Sequence, residues 1–282
     1  MLLIIDNYLH HKNKEGFNAI LDYLKIDYKY GGTENDIMNA NIIYSPSFSL
    51  DIKKYENKKF IFGPHFSVFP DAKLDKINFK SNYHLYIMPS QWVNDMWKKN
   101  FTVNIDMFAF PFPVNTNKFN QIKKNREKVV VYFKNRKKTE LLFIINFLNS
   151  QNINYVLFSY DNRYDEEDFL NNLYDCKYAI IIGRHESQGF AIEEMLSCNI
   201  PLLVWDVKYL SQEEGCDYPD YSATSIPYWD NRCGEFFYNS NEFIDKYNLF
   251  INNLDNYRPR EYILENLSIE QCANRFKDIF LN

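Results

Sequence analysis

Two uninterrupted apolar runs, KVVVYFK (128–134) and YAIIIG (178–183), restrict the possible folds more than any other feature of this chain. A strand with one wet face alternates polar and apolar residues. These runs do not alternate, so both of their faces must be covered, as in a parallel sheet flanked by helices. Helical patterns follow each run. TELLFIINFLNSQ (139–151) places Leu141, Leu142, Ile145 and Leu148 on one predicted side, and FAIEEMLSC (190–198) reads as a second helix. NYVLFSY (154–160) and PLLVWD (201–206) add strands, and EEDFLNNLYDC (166–176) adds a helix. Helices over 242–254 and 268–280 close the chain.

The first half repeats the theme. LLIID (2–6), IDYKY (26–30), NIIYSPS (41–47), KFIFGPH (59–65) and YHLYIMPS (83–90) read as strands rich in Ile, Phe and Tyr. EGFNAILDYL (15–24) has Phe17, Ile20, Leu21 and Leu24 at helical spacing. QWVNDMWKKN (91–100) is expected to be a helix capped by Ser90, with Val93, Met96 and Trp97 on one face. MFAFPFPVNTNKF (107–119), with its prolines and little periodicity, reads as a crossover. Strand–helix alternation in both halves means α/β with doubly wound parallel sheets, and ligands at the carboxyl ends of strands. Two such domains facing each other would leave a cleft near residues 107–126.

At 282 residues the chain has room for two domains, taking about 100–200 residues for each. Charge divides in the same place. Residues 1–126 hold 17 Lys and Arg against 12 Asp and Glu, a balance of +5, while 127–282 hold 15 against 25, a balance of −10. The net charge of −5 speaks against nucleic acid as a partner, and the basic first half permits at most peripheral membrane contact. No run of about 18 apolar residues is present to span a membrane. The opening MLLIIDNY is too short for a signal-peptide core. Five cysteines without metal-ligand spacing read as free thiols in a reducing cytoplasm.

The chemistry concentrates in YAIIIGRHESQGFAIEEMLSCNIPLLVWD (178–206). A buried strand ends at Gly183, the loop RHESQG follows, and a helix opens at Gly189–Phe190. A helix N-terminus offers unpaired amides and the positive end of the dipole, which suits a diphosphate. Gly189 would let a ligand approach the backbone. Glu186 on the loop and Glu194 eight residues later are carboxylates able to accept from paired hydroxyls, and Glu193 reads as a surface residue.

This segment, ESQGFAIEEMLSCNIP, resembles the signature of retaining GT-B glycosyltransferases of family 4 (glycosyl transferases group 1). The match runs through Glu186, Gly189, Phe190, Glu194, Cys198 and Pro201, with Ala191 and Asn199 standing where the family usually has glycine. The resemblance implies the GT-B fold, two Rossmann-like domains facing a cleft: residues 1–125 as the acceptor domain, residues 126–282 as the nucleotide-sugar domain, and the last helix packing back on the first. It implies a hexosyltransferase using a UDP- or GDP-sugar, acting with retention on a glycan, lipid-linked, protein-linked or other hydroxyl acceptor, with no cofactor and no metal. VVVYFKNRKKTELL (129–142) resembles the family's first strand of the second domain, so Arg136 is expected to meet the diphosphate with Lys137 or Lys138 beside it. GPHFSVFP (63–70) resembles the strand end that brings a histidine, here His65, near the transferred sugar. The expected set is thus Glu186, Arg136 and His65 for catalysis, with Glu194, Gly189, Phe190, Lys138, Ser187 and Gln188 binding the donor. Arg136→Ala is expected to leave the fold intact. His10, His11 and Lys12 are further candidates for acceptor or phosphate contacts, His185 is a weaker one, and Trp229 or Arg232 are candidates for the nucleotide. The alternatives are another GT-B enzyme, a sugar-nucleotide epimerase or DNA glucosyltransferase, and an inactive GT-B sugar-binding or scaffold module.

Overall fold

The computed structural model describes residues 1–5, 8–55, 57–70, 84–103, 105–121, 126–162 and 164–282. Asp6 at the end of the first expected strand, Tyr83 at the start of another, and the expected boundary at residue 125 lie outside the described residues. Two all-parallel sheets form. The first contains β1 (Leu2–Ile5), β2 (Tyr28–Gly31), β3 (Ile42–Ser45), β4 (Lys59–Phe62), β5 (His84–Met88) and β6 (Asp106–Ala109) in the order β2-β1-β3-β4-β5-β6. The second contains β7 (Lys128–Lys134), β8 (Tyr155–Ser159), β9 (Cys176–Gly183), β10 (Leu202–Trp205) and β11 (Gly234–Phe237) in the order β11-β10-β9-β7-β8. The helices are α1 (His11–Leu24), α2 (Glu34–Asn39), α3 (Gln91–Asn100), α4 (Lys138–Ser150), α5 (Glu166–Leu173), α6 (Phe190–Ser197), α7 (Phe243–Asn252), α8 (Pro259–Asn266) and α9 (Ile269–Phe276). The chain divides into two compact units, Met1–Pro113 with Leu267–Asn282, and Val114–Asn266.

Several elements differ from the sequence reading. The segment 107–119 begins as strand β6 at a sheet edge, where Met107 is buried and Phe108 is exposed; the crossover starts only after it. α2 is too short for periodicity to reveal, and reciprocal capping starts it: the Asp36 amide donates to the Thr33 hydroxyl (3.2 Å) and the Thr33 amide to the Asp36 carboxylate (3.1 Å). Ser90 does precede α3, but its hydroxyl makes no capping hydrogen bond. In α4 the buried face centres on Ile144 and Leu148, and Leu142 faces water at 56% exposure, because it lies a full 100° round the helix from Leu141. β11 falls beyond the strand expected over 201–206, in a stretch given no element by the sequence reading. It opens on Gly234 at φ +136°, where a Cβ would stand 1.9 Å from the Leu202 carbonyl oxygen.

In the first unit the core is aromatic. Phe17 from α1 packs on Tyr44 of β3 (ring centroids 4.5 Å), on Phe276 of α9 (5.7 Å) and on Phe280 (5.5 Å), and all four rings are fully buried. The C-terminal segment therefore completes the core begun by residues 1–113. In the second unit Val129, Val131, Phe133, Ile180, Ile182, Leu203 and Trp205 alternate along β7, β9 and β10 toward α4 and α7, where Ile144, Leu148, Phe243 and Phe250 receive them. Phe17→Ala removes the ring shared by the whole first-unit cluster. It should lower stability by about 3–5 kcal/mol, read as a fall in the urea midpoint of tertiary circular dichroism; a loss of less than about 1 kcal/mol would contradict this packing.

Candidate functional site

In the second sheet the chain passes from β7 to β8 on one side and then to β9 on the other. The loops leaving β7 and β9 diverge there, and such a switch point is where ligands bind in open parallel sheets. β7 ends at Lys134 and β9 at Gly183. The Arg184 amide donates to the Lys134 carbonyl (2.9 Å), so the two strand ends are level. From there the RHESQG loop turns back over the sheet. Glu186 meets Lys134, Oε1 to Nζ at 2.7 Å, with side chains 12% and 11% exposed. The Lys134 ammonium also lies 4.6 Å from the centre of the Tyr160 ring, and Tyr160 is fixed beyond β8 by its amide, which donates to the Phe133 carbonyl. A pair this deep is costly to dehydrate, and removing either member would leave a buried charge.

Gly189 starts α6 at φ +90°, a left-handed turn that favours glycine, and a Cβ there would touch the Glu186 side chain at 3.4 Å. The far end of α6 is neutralised. Arg260 donates to the Ser197 carbonyl (2.6 Å), and Arg126 donates to the carbonyls of Cys198 (2.7 Å) and Asn199 (2.9 Å). Cations at the negative end leave the positive end of the helix at Gly189–Phe190, beside the Lys134–Glu186 pair. Glu194 is buried on α6. Glu193 is not a surface residue: it is 1% exposed and accepts from the Gln188 side-chain amide at 3.1 Å. Gln188 is thereby enclosed, while Ser187 and Phe190 remain half-buried.

Arg136 has a different environment from the one the resemblance implies. Its Nε and Nη2 donate to the two oxygens of Glu140 (2.9 and 2.7 Å). Its Nη1 donates to the carbonyls of Gly183 (3.0 Å) and Trp205 (3.2 Å). Four of the five guanidinium N–H donors are engaged inside the protein, and the side chain is 1% exposed. Arg136 thus ties the ends of β9 and β10 to the first turn of α4. Lys138 is exposed at the start of α4. Lys134 and Tyr160 were not singled out from the sequence. The signal for Lys134 is that it ends one of the two long uninterrupted apolar runs, where the strand-end rule directs a ligand.

His65 lies in the first unit, just past β4. Its Nε2 accepts from the His10 amide (3.3 Å) and contacts the Asn13 side-chain amide (3.2 Å), with Tyr8 edge-on at 5.1 Å. Burial, and then the proximity of His10, push its pKa down to about 4. His185 is wholly buried near Glu213 (3.4 Å), and burial with Arg184 and Lys134 nearby pushes its pKa down to about 3. Trp229 stands apart from the Lys134–Glu186 pair and lines a cavity beyond β10, and Arg232 is paired with Asp230 and Glu265. Among the described residues no group of three His, Cys, Asp or Glu is placed to hold a metal ion, and no helix is long and apolar enough to cross a membrane.

No family model and no curated protein sequence matches the chain. Solved structures do. The chain is similar to TarM from S. aureus at 17% identity and TM-score 0.55, over 86% of this chain and 55% of TarM, so it spans little more than half that protein's length. It is similar to a sucrose-phosphate synthase from Thermosynechococcus elongatus at 9% identity and TM-score 0.54, over 97% of this chain and 79% of the other. It is also similar to the N-terminal domain of Candida albicans trehalose-6-phosphate phosphatase at 12% identity and TM-score 0.59, over 99% and 95% of the two chains. At these identities the likeness shows the fold: two Rossmann-like parallel-sheet domains of the GT-B type.

Two outcomes test this geometry. Arg136→Ala leaves Glu140 and two buried carbonyls without their cation. Contrary to the expectation of an intact fold, it should lower the stability of the second unit by about 3 kcal/mol or more, measured by urea unfolding. His65 should titrate near pH 4 rather than the ordinary 6.5. Because the unfolded chain takes up that proton first, the stability His65 contributes is complete above pH 6.5 and is lost as pH falls toward 4, by up to about 1.4 kcal/mol per pH unit. The ring C–H signals of His65, assigned by their loss in His65→Gln, would report the midpoint; titration near 6.5 would contradict the buried environment.

Proposed function

We propose that the chain is a glycosyltransferase that moves a hexose from a nucleotide-diphosphate sugar to a hydroxyl acceptor. One observation carries this reading: Lys134 and Glu186 meet at the switch point of the second sheet, directly beside the positive end of α6. A diphosphate brought there would take the Lys134 ammonium and the amides at Gly189–Phe190 as its partners. Glu186, released from Lys134, would face the sugar, and Glu194 would hold ribose hydroxyls. The neighbours support the chemistry in kind, since their names include a sucrose-phosphate synthase, a starch synthase bound to ADP and acarbose, and TarM bound to UDP.

The step follows from charge. When the bond from the sugar to phosphate breaks, negative charge grows on the diphosphate and positive charge on the ring. Lys134 and the helix amides stabilise the first, and Lys138 at the exposed start of α4 can add to them. Arg136 acts through position, by holding Gly183 and hence the start of the RHESQG loop. Retention at the anomeric carbon, a UDP- or GDP-linked hexose, independence of metal, a cytoplasmic setting and His65 near the transferred sugar complete the proposal, on the family resemblance. A second reading, a sugar-binding module without transfer, is favoured by the closeness of the ion pair, since Glu186 already partners the Lys134 ammonium at 2.7 Å.

Thermal-shift screening with UDP-, GDP- and ADP-sugars, followed by donor hydrolysis, separates the two. Lys134→Ala should reduce turnover by about 100-fold or more, and Glu194→Ala should mainly raise the donor Michaelis constant. Binding of a nucleotide sugar without hydrolysis or transfer would support the module. Unchanged kinetics in Lys134→Ala, Glu186→Ala and Glu194→Ala would remove this site from consideration.

A further inference from the structure

The second unit has a cavity of about 470 Å³ at the carboxyl ends of β10 and β11, two strands along from Lys134. Its volume lies in the ~300–1,000 Å³ range of small-molecule sites. Asp206, 3% exposed, forms one side; its carboxylate accepts from the amides of Val207 (2.8 Å) and Ser225 (2.6 Å) and from the Thr224 hydroxyl (3.0 Å). Trp229, Phe236 and Tyr238 supply aromatic walls, and the Lys208 ammonium lies 4.5 Å over the Tyr238 ring. The walls are anchored. The Trp205 indole donates to the Tyr238 carbonyl (3.1 Å), and Phe236 meets Tyr238 edge-on at 5.6 Å.

This lining selects a chemical class. Its charged members are Asp206 and Lys208, one of each sign, so no excess of cations invites a phosphate. Aromatic faces set among a hydroxyl, a carboxylate and an ammonium match a pyranose, whose C–H faces are apolar and whose edge is hydroxylated. The cavity also communicates with the Lys134 site: the Glu186 amide donates to the Thr224 carbonyl (3.0 Å), and the Ser225 hydroxyl donates to the Gly183 carbonyl (3.1 Å). We propose that this cavity is a saccharide-binding subsite that holds a neutral glycan unit through Trp229 and Tyr238, separate from the nucleotide-sugar position. It rests on the transferase reading only for its role, that of holding a second sugar of an acceptor or product chain; binding itself is independent of that reading.

Maltose, cellobiose and N,N′-diacetylchitobiose are titrated into the full chain by saturation-transfer NMR, with and without UDP. At least one disaccharide should bind saturably, and UDP should not displace it. Trp229→Ala and Tyr238→Ala should each weaken that binding by about tenfold or more while the UDP thermal shift is retained. The side chain of Lys208 is exposed, and Lys208→Ala gives a third variant should either aromatic change unfold the protein. The proposal is overturned if none of the three disaccharides binds, if binding is unchanged in the variants, or if UDP competes for the same cavity. Failure of the transferase reading is seen separately, as absence of UDP-, GDP- and ADP-sugar hydrolysis while disaccharide binding persists.

Discussion

The guanidinium of Arg136 sits where β9, β10 and α4 converge, and the loops around the candidate site take their positions from it. Buried cations are stable only when their donors are satisfied, and a planar five-donor fork can satisfy a carboxylate and two carbonyls at once, which an ammonium cannot match in geometry. Through Gly183 this contact fixes the start of the RHESQG loop. The same carbonyl accepts from the Ser225 hydroxyl, so the loop beyond β10 is held to the same point. The Lys134–Glu186 pair and the cavity beyond β10 are therefore two features of one braced surface.

The two sheets share a winding pattern. In each, the chain leaves a central strand to one side and returns on the other. The chemistry differs. In the first unit burial, and then the nearby His10, hold the His65 pKa below its ordinary value, and its Nε2 accepts from the His10 amide. In the second, a cation and a carboxylate face each other beside a helix whose carbonyl end two arginines neutralise. The second arrangement is suited to an anion, because the ligand can take over Lys134 while the helix end supplies further donors.

Fold class was legible because it depends on short-range pattern. Continuous apolar runs at 128–134 and 178–183 require cover on both faces, and the periodic helices after them supply it. Elements without such a pattern escaped. α2 depends on a capping box and β11 on a positive-φ glycine, both local geometries that periodicity does not register. Glu193 and Leu142 exchanged places in burial, because a single charged or apolar residue does not reveal which way its helix faces.

In the site, the sequence by itself determined the strand–loop–helix at 178–198, the glycine that turns it, and the carboxylates at 186 and 194. Those are contiguous, and their chemistry follows from residue type and spacing. Only the tertiary structure decided which cation meets Glu186. Lys134 and Arg136 are two residues apart on the chain, yet one points over the sheet to Glu186 and the other inward to Glu140. Asn135 between them takes a left-handed turn at φ +47°, and partners 52 and 69 residues away complete the two environments: Lys134 with Glu186, Arg136 with the Trp205 carbonyl. A cation's role is set by which carboxylates and carbonyls fold around it, and that is a property of long-range packing.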